Sequence, residues 1–131
     1  MMLFIDTSAF LAVLNADDIN HAKAKKKWES IITEKYSLIC SNYILLETTV
    51  LIQRRFGIQA LRAFQENVHP LLNVQWINEN IHQIAISMLL TADRRHLSIV
   101  DCTSFEIMRK QGIEKVFCFD KHFKEQGFDL I

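Results

Sequence analysis

Four carboxylates in this chain stand where an acid is out of place. Asp6 ends the apolar run Leu3-Phe4-Ile5, and Asp120 ends a second one, Val116-Phe117-Cys118-Phe119. Each reads as a buried strand delivering an acid to its own carboxyl end. Glu47 lies in a helical stretch whose neighbours three and four residues away are Tyr43, Ile44, Val50 and Leu51, so it points into an apolar stripe. Asp101 opens a later helix. A lone buried carboxylate is costly, and ordinarily takes up a proton or finds a partner.

Each acid alone has a plain structural account. Asp6 and Asp120 both precede helices, and Asp is a favoured N-cap. Ser98-Ile99-Val100-Asp101 has capping-box spacing. Glu47 could snorkel from a helix edge. None of these explains why four acids are delivered to one neighbourhood. Converging carboxylates resist joint ionisation, and no Lys or Arg is embedded beside them except Lys121. Hard divalent cations with oxygen ligands, Mg2+ or Mn2+, resolve the repulsion. Such an ion makes water a nucleophile at neutral pH, and a second ion about 3.5–4 Å away can hold a leaving oxygen. That chemistry suits phosphodiester hydrolysis.

Other chemistries find less support. The five histidines show no HxH or HExxH spacing, which disfavours zinc. There is no GxSxG, and three glycines cannot supply a phosphate-cradling loop. An aspartyl-phosphate enzyme needs a second acid two positions after the first, where this chain has Ser8. His122, two residues past Asp120, reads as a surface histidine.

The elements that must position the acids alternate along the chain. Met2–Ile5, Ser37–Cys40, Leu71–Ile77, Val116–Phe119 and Phe128–Ile131 read as strands. Helices are expected over Thr7–Leu14, His21–Ile32, Tyr43–Phe56 (ended by Gly57), Ile58–Asn67, from Asn78 or Asn80 to Ala92, and from Leu97 or Ser98 to Gln111. Lys121–Gln126 reads as a helical turn. On the second helix Ala22, Ala24, Trp28, Ile31 and Ile32 form the expected inner face, with the lysines a solvated outer one. The alternation predicts a three-layer α/β/α fold around a mostly parallel sheet of four to five strands. Ligands of such sheets gather outside the carboxyl ends of the strands, where Asp6 and Asp120 are placed.

Composition sets the frame. A chain of 131 residues with 50% hydrophobic and 23% charged residues is expected to fold as a single domain over residues 1–131. Zero formal net charge removes bulk electrostatics as an argument for nucleic acid, leaving a local basic patch. Cys40, Cys102 and Cys118 lie in apolar contexts without CxxC spacing and read as core thiols of a reducing compartment. No apolar run approaches a membrane span and the N-terminus lacks a signal-peptide pattern, so a cytoplasmic protein is expected.

Asp6-Thr7-Ser8 after the first strand, Glu47, Leu97-Ser98-Ile99-Val100-Asp101-Cys102, Phe119-Asp120-Lys121-His122-Phe123 and Gly127-Phe128 together resemble the PIN-domain pattern, nearest to the VapC-type toxins. The resemblance spans essentially the whole chain. It implies a Mg2+- or Mn2+-dependent endoribonuclease acting on RNA, with Asp6, Glu47, Asp101 and Asp120 as the acidic quartet. Asp6 and Asp101 would be the principal metal ligands, and Ser8 the supporting hydroxyl near the first acid. It further implies a cognate antitoxin covering the site, and a homodimer. The competing reading is a non-catalytic RNA- or protein-binding module on the same fold. Arg54, Arg55, Arg94, Arg95, Lys121 and Lys124 are the candidate RNA contacts.

Overall fold

The computed structural model describes Met1–Ile131. Its strands are β1 (Met2–Ile5), β2 (Ser37–Ser41), β3 (Leu72–Gln75), β4 (Lys115–Phe117) and β5 (Asp129–Leu130). Its helices are α1 (Thr7–Leu14), α2 (His21–Glu34), α3 (Asn42–Phe56), α4 (Ile58–Asn67), α5 (Glu79–Ala92), α6 (Ile99–Gln111) and the single turn α7 (His122–Glu125). All strand pairs are parallel, in the order β3-β2-β1-β4-β5.

That order places the site. The chain steps from β1 to β2 to β3 in one direction, then returns past β1 to β4 and β5. Right-handed crossovers therefore put α1–α4 on one face and α5–α7 on the other. The central strand β1 is buried on both faces, which explains its unbroken apolar run: Leu3, Phe4 and Ile5 are wholly inaccessible. Aromatic contacts mark the two cores. Phe10 of α1 meets Phe64 of α4 edge-on at 5.3 Å. On the other face Phe105 of α6 meets Phe123 of α7 at 5.1 Å, and Phe123 also reaches Phe4. The order reverses between β1 and β4, and the carboxyl ends of those two strands carry Asp6 and Asp120 toward one crevice.

Several expectations shift. The third strand, expected over Leu71–Ile77, is only Leu72–Gln75, its start taken by a 3-10 turn at His69–Leu71, and the last, expected over Phe128–Ile131, is only Asp129–Leu130. The fourth strand ends at Phe117, two residues early. The Asp6 amide bonds to the Phe117 carbonyl at 3.1 Å as the last rung. The Phe119 amide donates instead to Ser8 Oγ at 3.0 Å, so Phe119 leaves the sheet. On α2, Ala24, Trp28 and Ile31 form the inner stripe at i, i+4 and i+7 spacing, while Ala22 and Ile32 are exposed. One helix face is too narrow to hold all five.

The three cysteines are buried and unpaired. Burial pushes the Cys40 and Cys118 thiols up to about 12, so they stay protonated. No helix is long and apolar enough to cross a membrane.

Candidate metal centre

Asp6 is the N-cap of α1 and only 5% exposed. Its Oδ2 accepts from the Ser8 amide at 3.1 Å and from Ser8 Oγ at 2.6 Å. Ser8 Oγ thus accepts a hydrogen bond from the Phe119 amide and donates one to Asp6, joining the ends of β1 and β4 through one hydroxyl. Burial pushes the Asp6 carboxyl up to about 7; the two Ser8 hydrogen bonds oppose the rise, and the charges of Asp101 and Glu47 add to it.

Asp101 is the third residue of α6 and 8% exposed. The capping box forms: Ser98 Oγ accepts from the Asp101 amide at 3.0 Å, and Asp101 Oδ2 accepts from the Ser98 amide at 3.0 Å. Capping occupies Oδ2 and leaves Oδ1 without a hydrogen bond inside the chain, so one side chain can cap and ligate. Burial raises this carboxyl too; the Ser98 amide opposes, Asp120 adds to the rise, and His122 lowers it.

Glu47 is half-buried on α3, at the rim of the apolar stripe. Ile44 and Thr48 beside it are wholly buried, whereas Val50 is 41% exposed. Burial again leads in raising its carboxyl; the Thr7 hydroxyl opposes, and Asp101 and Asp120 add to the rise. Thr7, itself buried, accepts from Thr48 Oγ1 at 3.0 Å and so ties α1 to α3 beneath Glu47. Asp120 is half-buried three residues past β4, and its Oδ1 accepts from the His122 amide at 2.9 Å.

The four acids therefore act on one another: Asp6 with Asp101 and Glu47, Glu47 with Asp101 and Asp120, and Asp101 with Asp120. Asp101 and Glu47 each act on all three others. No lysine or arginine lies within 4.0 Å of any of them. Lys121, the one neutraliser the sequence offered, is exposed and makes no ion pair. Hard oxygen donors, gathered in one crevice without a lysine or arginine among them, fit a divalent ion of the Mg2+ or Mn2+ kind.

His122 is the main residue that sequence reasoning missed. It is 7% exposed, not a surface histidine, and one of its ring nitrogens falls with carboxylate oxygens of Asp101 and Asp120 in a set mutually within 4.8 Å. Arg94, expected as an RNA contact, is tied to Glu125 at 2.8 Å. The Asp-x-His spacing and the apolar Phe123 after it were the available signals.

Known proteins resemble this arrangement across nearly the whole chain. The family profile described as PIN domain matches residues 3–129. A Mycobacterium tuberculosis protein described as the 23S rRNA-specific endonuclease VapC20 is 36% identical over 128 residues, which cover 97% of this chain and 95% of that protein. The crystal structure of M. tuberculosis VapC20, described as a sarcin-ricin loop cleaving toxin, superposes with a TM-score of 0.82 at 35% identity, over 97% of this chain and 96% of that one. FitAcB from Neisseria gonorrhoeae shares the fold at a TM-score of 0.71 and 14% identity, covering 99% of this chain and 96% of that one.

Proposed function

The chain belongs to the PIN-domain family and is an endoribonuclease of the toxin kind; we propose that it cleaves ribosomal RNA with Mg2+ or Mn2+ held by Asp6, Glu47, Asp101 and Asp120. The observation that carries the metal reading is the gathering of Asp101 and Asp120 with His122, ligand atoms mutually within 4.8 Å, close to the Asp6 and Glu47 carboxyls and with no lysine or arginine paired to any of the four acids. When bound, the ion would supply an acidified water and offset the charge that builds on the phosphate.

The chain's own residues do the rest. Asp6 and Asp101, the two most buried acids, fix the ion's place, and Glu47 and Asp120 close the ring from α3 and from beyond β4. Ser8 holds Asp6 in one rotamer and keeps one of its oxygens engaged. Ser98 does the same for Asp101. The acids sit at the sheet's carboxyl edge, where a single-stranded loop of RNA can bring its backbone. Arg54 is exposed on the Glu47 stripe of α3, seven residues on, so about 10 Å along the helix. That is a reach suited to a neighbouring phosphate.

A protein antitoxin is the partner. Between α5 and α6 runs a groove of about 560 Å³ lined by Ile84, Met88, Leu97, Cys102 and Phe105, beside the first turn that carries Asp101. An antitoxin segment filling it would lie next to the acids and cover them. Leu46 and Val50, one turn apart and exposed on α3, offer an apolar face for a second copy.

The test is cleavage of 23S rRNA by purified protein with Mg2+ or Mn2+, with chelator, and with Asp101→Asn. Cleavage that needs both the ion and Asp101 is expected. Cleavage in chelator, or by the variant at full rate, would overturn the assignment. Metal-independent RNA binding without cleavage would instead favour a binding module.

A further inference from the structure

His122 is the only buried histidine of the five in this chain. Phe123, the next residue, is wholly buried against Phe105, and this anchor draws the short helix α7 and His122 inward. Asp120 closes the same turn by accepting the His122 amide. The imidazole is thereby fixed from both sides, with its side chain 9% exposed.

The two ring nitrogens face different surroundings. Nδ1 lies 3.5 Å from Arg94 Nη2 and 4.0 Å from Glu125 Oε2, and Arg94 Nη1 holds that same Oε2 at 2.8 Å. Nε2 makes no hydrogen bond. It lies 3.7 Å from Asp120 Oδ1 and points into the cluster that Asp101 completes. Nε2 thus faces Asp120 and the cluster shared with Asp101, while Nδ1 faces the Arg94 guanidinium, with the Glu125 carboxylate just beyond hydrogen-bond reach. Histidines that bind metals almost always donate their other N–H to such an acceptor.

We propose that Nε2 of His122 is itself a metal ligand, joining Asp101 and Asp120 on a divalent ion, with the ring proton then carried on Nδ1, where Glu125 Oε2 moves in to accept it in place of the Arg94 contact. This rests on the divalent-ion reading above and adds a nitrogen to an otherwise all-oxygen set. It carries a consequence for the choice of ion. Mg2+ keeps to carboxylates and water, whereas a nitrogen donor adds affinity for first-row transition ions, of which Mn2+ is the weakest, so this half of the centre takes Mn2+ in preference to Mg2+. A histidine serving only as scaffold would show neither ligation nor that preference.

The experiment uses the full chain, Mn2+ alone as probe, and electron spin-echo envelope modulation with natural and 15N-histidine-labelled protein. Nitrogen modulation that changes with the label is expected from the wild type, and its loss from His122→Gln. In equilibrium titration His122→Gln is expected to weaken Mn2+ at least tenfold while changing Mg2+ less than twofold, and Glu125→Gln to weaken Mn2+ about tenfold. Mn2+ that binds without nitrogen modulation overturns the proposal and leaves the nuclease reading standing. Failure of the wild type to bind Mn2+ at all overturns both. Should His122→Gln not fold, the labelled wild type decides alone.

Discussion

Asp6→Asn should stabilise the metal-free protein while abolishing cleavage. Burial, opposed by Ser8 and helped by Asp101 and Glu47, raises the Asp6 carboxyl from 3.8 to about 7. An acid raised in the folded state binds its proton more tightly there than in the unfolded chain. Its contribution to stability is therefore complete below about pH 4, falls as pH climbs to 7, and stays lost above. At roughly 1.4 kcal/mol per pKa unit, the ionised carboxyl costs about 4 kcal/mol at pH 8 and about 2 kcal/mol at pH 5. Asparagine cannot ionise, keeps the shape, and still accepts from Ser8. The gain of about 4 kcal/mol is a ceiling, because Asp101 or Glu47 can take up a proton in its place. With roughly 3 °C per kcal/mol for a chain of this size, the variant should melt up to about 12 °C higher at pH 8 in chelator. Circular-dichroism melts at pH 5 and pH 8 read this directly. A gain of equal size at both pH values, or none at pH 8, would mean that burial in this site does not raise the Asp6 carboxyl.

Further outcomes follow from the same geometry. Saturating Mn2+ should raise the wild-type melting temperature at pH 8, by about 2.7 kcal/mol of stability at 100 times the dissociation constant, and should leave the Asp101→Asn variant almost unmoved in the same melts. Ser8→Ala removes a hydrogen bond from Asp6 and strands the Phe119 amide, so a loss of about 1–3 kcal/mol in urea unfolding is expected, with the pH profile of cleavage displaced upward as Asp6 holds its proton longer. Phe64→Ala, far from the acids, should cost about 3–5 kcal/mol in the same unfolding assay and leave metal affinity unchanged. Arg54→Ala should weaken RNA binding and lower its salt slope by about one, with no effect on Mn2+ titrations.

Much of the frame was legible because local rules and tertiary demands agree. An unbroken Leu3-Phe4-Ile5 run can belong only to a strand covered on both faces, and an acid at its end must emerge at the sheet edge. Ser98 and Asp101 announced their capping box by spacing, and it forms. Glu47 was anomalous for its neighbours, yet the helix packs so that Glu47 meets the rim of the stripe rather than its floor. The rest depended on contacts between distant segments. The length of β4 is set by the Ser8 hydroxyl, which takes the Phe119 amide from the ladder. Burial of His122 follows from the packing of its neighbour Phe123 against Phe105 of α6, a contact the charged residues around it in sequence do not announce. The pairing of Arg94, in the loop after α5, with Glu125 of α7 is another contact that no local pattern announces.

The hydroxyl tie between Ser8 and Phe119 joins residues 111 positions apart. It sets an order in time as well as in space. Asp6 is synthesised almost at once, but its partner across the crevice does not exist until residue 119 has been added and β4 has slotted in beside β1. Closing so long a loop is among the late events of folding, since its entropy must be met before the contact rewards it. A nascent chain therefore carries its first acid through most of its own translation without a site to use it.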